Sequence, residues 1–182
     1  PEIMIEDSNL SIEAQKATFE AAFNGSPTYI RLGREKTPVI TTSKTPFEIG
    51  KAEIFKEGKD VTIIACGPLL YEAMIAAQKL EDQGIRVEVI NNHTIKPMDV
   101  KTILTSVKKT RAVVTVEEHQ IMGGMGSVVA EILSQNLPTP IEMIGVHDSF
   151  GESGNPDELL HFFKLTHPFI VKAVKKVIKR KK

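Results

Sequence analysis

The residues best suited to chemistry fall in two short stretches and one pair of arginines. EEHQIMGGMGS, starting at Glu117, sets Glu117 and Glu118 beside His119 and then places Gly123, Gly124 and Gly126 ahead of Ser127. A carboxylate beside an imidazole can shift its pKa for proton transfer, and closely spaced glycines at a helix start expose amide donors to an anion. This pattern suits a phosphate or nucleotide cradle. The same glycines suit a tight turn and close helix packing, with Glu118 and His119 left to contact a neighbouring domain. The spacing is neither the dinucleotide fingerprint nor a Walker loop, since no Gly-Lys-Ser or Gly-Lys-Thr follows.

The second stretch, HDSFGESGNP, gathers His147, Asp148 and Glu152. A metal needs three or four converging ligands, and the Gly-Ser-Asn content fits a capped turn better. His93, His161 and His167 are isolated in sequence and read as packed or surface histidines. Arg31 and Arg34, in YIRLGR, carry guanidinium forks that match phosphate geometry and serve surface ion pairs equally well.

These residues need a scaffold, and its period is legible. Ile12, Ala14, Ala17, Phe19 and Phe23 recur as on a helix that Asn24-Gly25 stops, and PTYIRL, Pro27 to Leu32, reads as a strand. Gly33 to Glu48 is rich in Thr, Pro, Lys and Ser with no apolar period, so a linker falls here, at 41–50. Beyond it, strands are predicted at Ala52–Phe55, from Val61 in VTIIAC, at Ile85–Ile90, at Ala112–Val116 and at Ile141–Val146. Helices are predicted between them, opening at Pro68, after Pro97 and at about Gly124. Two terminal helices close the chain, the first with Asn155 as cap, Pro156 in its first turn and Glu158 three residues on. Strands alternating with helices imply right-handed crossovers and a mostly parallel sheet covered on both faces, an α/β fold. In such a sheet ligands bind beyond the carboxyl ends of the strands, which singles out the loops after Cys66, Ile90, Val116 and Val146.

Composition sets the outer bounds. At 182 residues, 41% hydrophobic and 25% charged, the chain is globular, with room for one domain plus an appendage. Twenty-three basic residues balance twenty-three acidic ones, so no global field draws it to nucleic acid or an anionic membrane. Seven Lys or Arg between Val171 and Lys182 share a helical period with Val171, Val174, Val177 and Ile178, as on a solvated amphipathic helix. Cys66 is the only cysteine, which excludes an internal disulfide and a cysteine-based zinc site and leads us to expect a reducing, cytoplasmic setting. No transmembrane run or signal core is present in the sequence given. The opening PEIMIEDSN, without Met, carries the expectation that the chain is a piece of a longer polypeptide.

Four motifs in order, PTYIRLGR, HTIKPMD from His93, VTVEEH with GGMGS, and FGESG from Phe150, resemble the C-terminal part of the transketolase family of thiamine diphosphate enzymes. The resemblance covers nearly the whole chain. It implies that residues 1–40 are the tail of a pyrimidine-binding domain, helix plus strand. It also implies that 51–182 form the family's C-terminal domain, a three-layer α/β/α sandwich on a mixed five-stranded sheet. Deoxyxylulose-phosphate synthase and the beta subunit of 2-oxoacid dehydrogenases are the neighbouring branches; FGESG favours transketolase, in particular the C-terminal subunit of the kind split over two polypeptides.

By that resemblance the complete enzyme uses thiamine diphosphate and Mg2+ to pass a two-carbon unit between sugar phosphates of the pentose phosphate type. Arg34 falls where the family places a substrate-phosphate clamp, and Arg31 matches a second such arginine only in the synthase branch. No Gly-Asp-Gly followed by a distant Asn appears, so this chain alone is expected to bind no cofactor and to be inactive. Its expected partners are an N-terminal portion or subunit and a second copy in a homodimer-type assembly, with Glu118, His119, Gly123, Gly124 and Gly126 as an interface or anion loop. The contrasting possibility is a free-standing regulatory module that binds a nucleotide or anion in that loop.

Overall fold

The computed structural model describes residues 12–33 and 38–181, which pack as two units divided between Ile49 and Gly50. Unit 1 contains helix α1, Ile12–Phe23. Asn24-Gly25 ends it as expected: the Asn24 amide bonds the Glu20 carbonyl, the Asn24 side chain accepts the Ser26 amide at 2.9 Å, and Gly25 takes φ +71°. The predicted strand Pro27–Leu32 is absent; this segment is irregular. A strand exists only by pairing, no described backbone offers this segment a ladder, and Tyr29 is 88% exposed.

Residues 42–49 are tied to α1 more firmly than a linker composition suggests. The Lys16 ammonium donates to the carbonyls of Thr42, Ser43 and Thr45, and the Glu20 carboxylate accepts the Ile49 amide at 2.8 Å. Lys16 and Glu20 are four residues apart, so both project from one face of α1.

Unit 2 is built in the order β1 Glu53–Lys56, β2 Val61–Ala65, α2 Leu69–Glu81, β3 Val87–Asn91, α3 Val100–Thr110, β4 Val113–Gln120, α4 Met125–Asn136, β5 Ile141–Val146, α5 Pro156–Phe162 and α6 His167–Ile178. The five strands lie in the order β1-β3-β2-β4-β5; β1 runs antiparallel to β3 and the other pairs are parallel. Every residue of β2 and β3 is buried, because helices cover both faces. On one face Ile64, Ile90 and Val113 meet Ile103 and Val107 of α3 and Met125, Val129 and Leu133 of α4. On the other lie α2 and α6, whose buried faces include Leu70, Ala73 and Ala77, and Ile170, Val174 and Val177. Each fully buried Leu, Ile or Val contributes about 1.5–3 kcal/mol of transfer free energy, so the sheet centre anchors the fold. The basic C-terminal helix is amphipathic as read, its valines inward and Lys172, Lys175, Lys176 and Lys179 outward.

Two polar clusters enter this core. Thr62 of β2 shares its hydroxyl with Ser106 and Thr110 of α3, both at 2.6 Å. Glu88 of β3 is fully buried and accepts from Lys109 and from the Gly58 amide. Burial alone would raise the Glu88 pKa; the bonds from Lys109, Ser106 and Gly58 outweigh it and hold the carboxyl below its ordinary value. A side chain at Gly58 would collide with the backbone of Val87 and Glu88, so this approach requires glycine.

Candidate functional site at the carboxyl ends of the strands

From β2 the chain crosses to β3 on one side, and from β4 it crosses to β5 on the other. The crevice between the ends of β2 and β4 is therefore the place where an open α/β sheet takes a ligand. Cys66 and Val116 meet there through a backbone bond of 3.3 Å, and the next residue of β4 is Glu117.

Glu117 is buried and turned toward α4. Its two carboxylate oxygens accept the Met125 amide at 2.7 Å and the Gly126 amide at 2.8 Å. A helix start carries unsatisfied N–H groups and partial positive charge, and here the chain supplies its own anion to them. The glycines make room for it. A Cβ on Gly124 would strike the Glu117 carboxylate, and one on Gly126 would come within 2.6 Å of Thr115 Oγ1 and 3.2 Å of both Glu117 Oε1 and Met143 Sδ. Gly123 takes φ +77° and donates to Ser127 Oγ, which donates on to the Ile121 carbonyl at 2.7 Å. An external phosphate would have to displace Glu117 from these amides.

Glu118 and His119, in contrast, are exposed, and His119 Nδ1 lies 2.8 Å from the Gln120 carbonyl. Gln120 joins two loops: its Oε1 accepts the amides of Ile121 at 3.1 Å and Asp148 at 3.0 Å. These loops present Met122 and Phe150 to solvent.

The HTIKPMD motif is also accounted for by local structure. Asp99 caps α3, accepting the Thr102 amide and hydroxyl, and its second oxygen accepts the Ala52 amide at 3.1 Å, which fixes the chain just before β1. Burial would raise the Asp99 pKa, but the bonds from Thr102 and Ala52 lower it on balance. His93 is half-buried with Nδ1 3.0 Å from Thr94 Oγ1, and burial lowers its pKa to about 4, so it is neutral at pH 7.

Of the other histidines, His161 packs edge-on against Phe169, and His167 bonds Glu72 through both its amide and Nδ1. His147, Asp148 and Glu152 are exposed, and no three His, Cys, Asp or Glu groups converge as for a metal among the described residues. Asn155 caps α5 through the Asp157 amide, one residue before the position a capping box with Glu158 would use. Arg31 is exposed; Arg34 lies outside the described residues. The described residues do not fit a site for thiamine diphosphate and Mg2+: carboxylates do not converge for the metal, and the amide cradle at α4 is filled by Glu117.

Residues 50–170 match the family described as transketolase, C-terminal domain. The chain is 45% identical, over 91% of its length and 53% of the relative's, to a 6-deoxy-6-sulfo-D-fructose transketolase subunit of Clostridium sp. (strain MSTE9). It is 37% identical to an apulose-4-phosphate transketolase subunit of Phocaeicola vulgatus, over 85% of this chain and 49% of that one. A solved structure described as a split gene transketolase, inactive beta4 tetramer, superposes with a TM-score of 0.82 at 44% identity, covering 85% of this chain and 50% of that chain. This chain thus spans about half the length of these three relatives.

Proposed function

This chain belongs to the transketolase family, and from that premise we propose that it is the C-terminal portion of a transketolase divided over two polypeptides, transferring a two-carbon ketol unit between sugar phosphates only when joined to its cofactor-binding portion. The observation that carries this reading is one of coverage. The match runs through nine tenths of this chain yet through only half of a relative that is itself described as a subunit.

Thiamine diphosphate and Mg2+ supply the carbanion chemistry and belong to the other portion. What this chain contributes is position. Arg34, with Arg31 as a weaker second, pairs with the terminal anion of the sugar, for which a guanidinium fork is suited. Unit 2 serves assembly: Glu118, His119 and the loop of Gly123, Gly124 and Gly126 face a neighbouring subunit, in an enzyme built as a homodimer of such pairs in the cytoplasm. No helix among the described residues is long and apolar enough to cross a membrane. The inactive beta4 tetramer described for the 44% identical protein supports a further element, self-association of this chain when its partner is missing. The regulatory-module reading is weaker, because Glu117 already holds the amides that such a ligand would need.

In the complete enzyme, Arg34→Ala raises KM for a phosphorylated ketose by about tenfold or more, the loss of one charge-assisted pair, and leaves KM for an unphosphorylated ketose nearly unchanged. Steady-state kinetics with both substrates measure this, and equal effects on the two would remove the phosphate role.

A further inference from the structure

The C-terminal third of the chain separates its charges completely. Residues 117–163 contain eight Asp or Glu and no Lys or Arg, whereas residues 164–182 contain eight Lys or Arg and no Asp or Glu. Among the described residues, the ion pairs joining the two sets are those of Lys176 and Arg180 with Glu142. The fold carries much of the remainder to opposite ends of unit 2. Helix α6 starts at the carboxyl ends of the strands, where His167 meets Glu72 in the first turn of α2. It finishes at the amino ends, where Arg180 reaches the carbonyl of Ile141 and Lys181 that of Asp60. Exposed Lys179 therefore shares the amino end of the sheet with exposed Lys108 and Arg111, which lie just before β4.

Helix dipoles explain part of this polarity, since they favour cations in last turns and carboxylates in first turns. They do not explain Glu152, which lies in the loop between β5 and α5, or the apolar side chains there. Phe150 is 96% exposed and Met122 59% exposed. Their loops are joined by the Gln120 carboxamide, which accepts the amides of Ile121 and Asp148, one and two residues before these side chains. An aromatic side chain presented in this way loses little entropy on docking and is suited to anchor an interface.

We propose that copies of this chain lacking their cofactor-binding portion dock head to tail, Phe150 and Met122 of one copy's acidic carboxyl-end loops seating on the basic amino-end surface around Lys108, Arg111 and Lys179 of the next. The proposal rests on the self-association put forward above and names its surface. Charge complementarity selects the occupant: two copies of the acidic loop patch repel each other, which disfavours two-fold pairing of that patch, while the basic end of a second copy offers the opposite sign. A head-to-tail contact uses two different patches, and repeated copies close into a ring where the rotation permits.

Sedimentation velocity on the complete polypeptide that carries this sequence, without its partner, tests the surface. The wild type is expected to be an oligomer that weakens as salt rises. Glu152→Lys with Asp157→Lys, or Lys108→Glu with Lys179→Glu, is expected to weaken association by about tenfold or more, and the chain bearing all four changes to recover it, because the complementarity is restored with reversed sign. Phe150→Ser weakens association at low and high salt alike. A monomeric wild type overturns both self-association and this surface. An oligomer that none of these variants moves overturns the surface alone. Variants that leave self-association intact but block binding of the cofactor-binding portion assign the surface to that partner, which also overturns the proposal.

Discussion

Two buried glutamates sit at opposite ends of one sheet and are neutralised by opposite means. Glu88, beside the amino end, faces the last turn of α3 and takes a side-chain cation, Lys109, which itself remains partly exposed and also reaches Glu57 at 3.2 Å. Glu117, at the carboxyl end, faces the first turn of α4 and takes two backbone amides, with no lysine or arginine bonded to it among the described residues. The difference follows from the direction of the chain. In a βαβ crossover each helix starts near the carboxyl ends and returns to the amino ends, so one end of the sheet offers amide donors and the other offers carbonyls, which draw cations. The carboxyl end can therefore hold an anion without a charged side chain, and in this protein the anion is its own.

The largest effect comes from emptying that cradle. Glu117→Ala leaves two buried amides without an acceptor and is expected to cost about 3–4 kcal/mol in denaturant unfolding, more than the loss of the lysine at the other end. Lys109→Met strands the buried Glu88 carboxylate, but water reaches this ion pair, so the expected cost is about 2 kcal/mol, below the 3–5 of a fully buried pair. Should Lys109→Met prove the more costly change, the helix start would not be the stronger partner.

The two ends also titrate differently. His93, at the carboxyl end, keeps a folded pKa of about 4 against an ordinary 6.5, so between these values the unfolded chain binds a proton that the folded chain refuses. Stability contributed by the neutral ring is complete above pH 6.5 and falls as pH drops toward 4. For a half-buried ring this amounts to about 1–2 kcal/mol, and His93→Gln should flatten the slope of unfolding free energy across that window. Glu88 has a lowered pKa, so its contribution holds above its ordinary 4.5 and is lost only below that, as pH falls through the folded value. A slope unchanged by His93→Gln would mean that the ring titrates normally.

Most of the fold could be read from apolar period alone, because β2 and β3 are buried runs and α2, α3 and α6 show clear inward stripes. Strand ends were less legible. β4 continues past Val116 to Gln120 because Gln120 regains β5 opposite Val146 after a register shift, which no local propensity encodes. β3 begins only at Val87, since the Ile85 amide is occupied in closing α2 onto the Leu80 carbonyl. Pro27–Leu32 has strand composition and no strand, because composition cannot supply a pairing partner.

At the site, the glycines were visible and their purpose was not. Glu117 reaches amides eight and nine residues onward, a closure that depends on the turn between them. A usable signal was present in VVTVE: a carboxylate closing the buried stretch of a strand, a few residues before a glycine-rich helix start, has few partners other than that helix. Glu88 gave a weaker signal, a charge inside VEVI whose lysine is 21 residues away.

The most direct measurement is ketol transfer from a phosphorylated ketose, with thiamine diphosphate and Mg2+ supplied, by the complete polypeptide carrying this sequence, alone and after mixing with its cofactor-binding portion. The transketolase assignment predicts turnover in the mixture and none from the polypeptide alone. Turnover by the polypeptide alone, or a stable stoichiometric mixture with no ketol transfer, would contradict it.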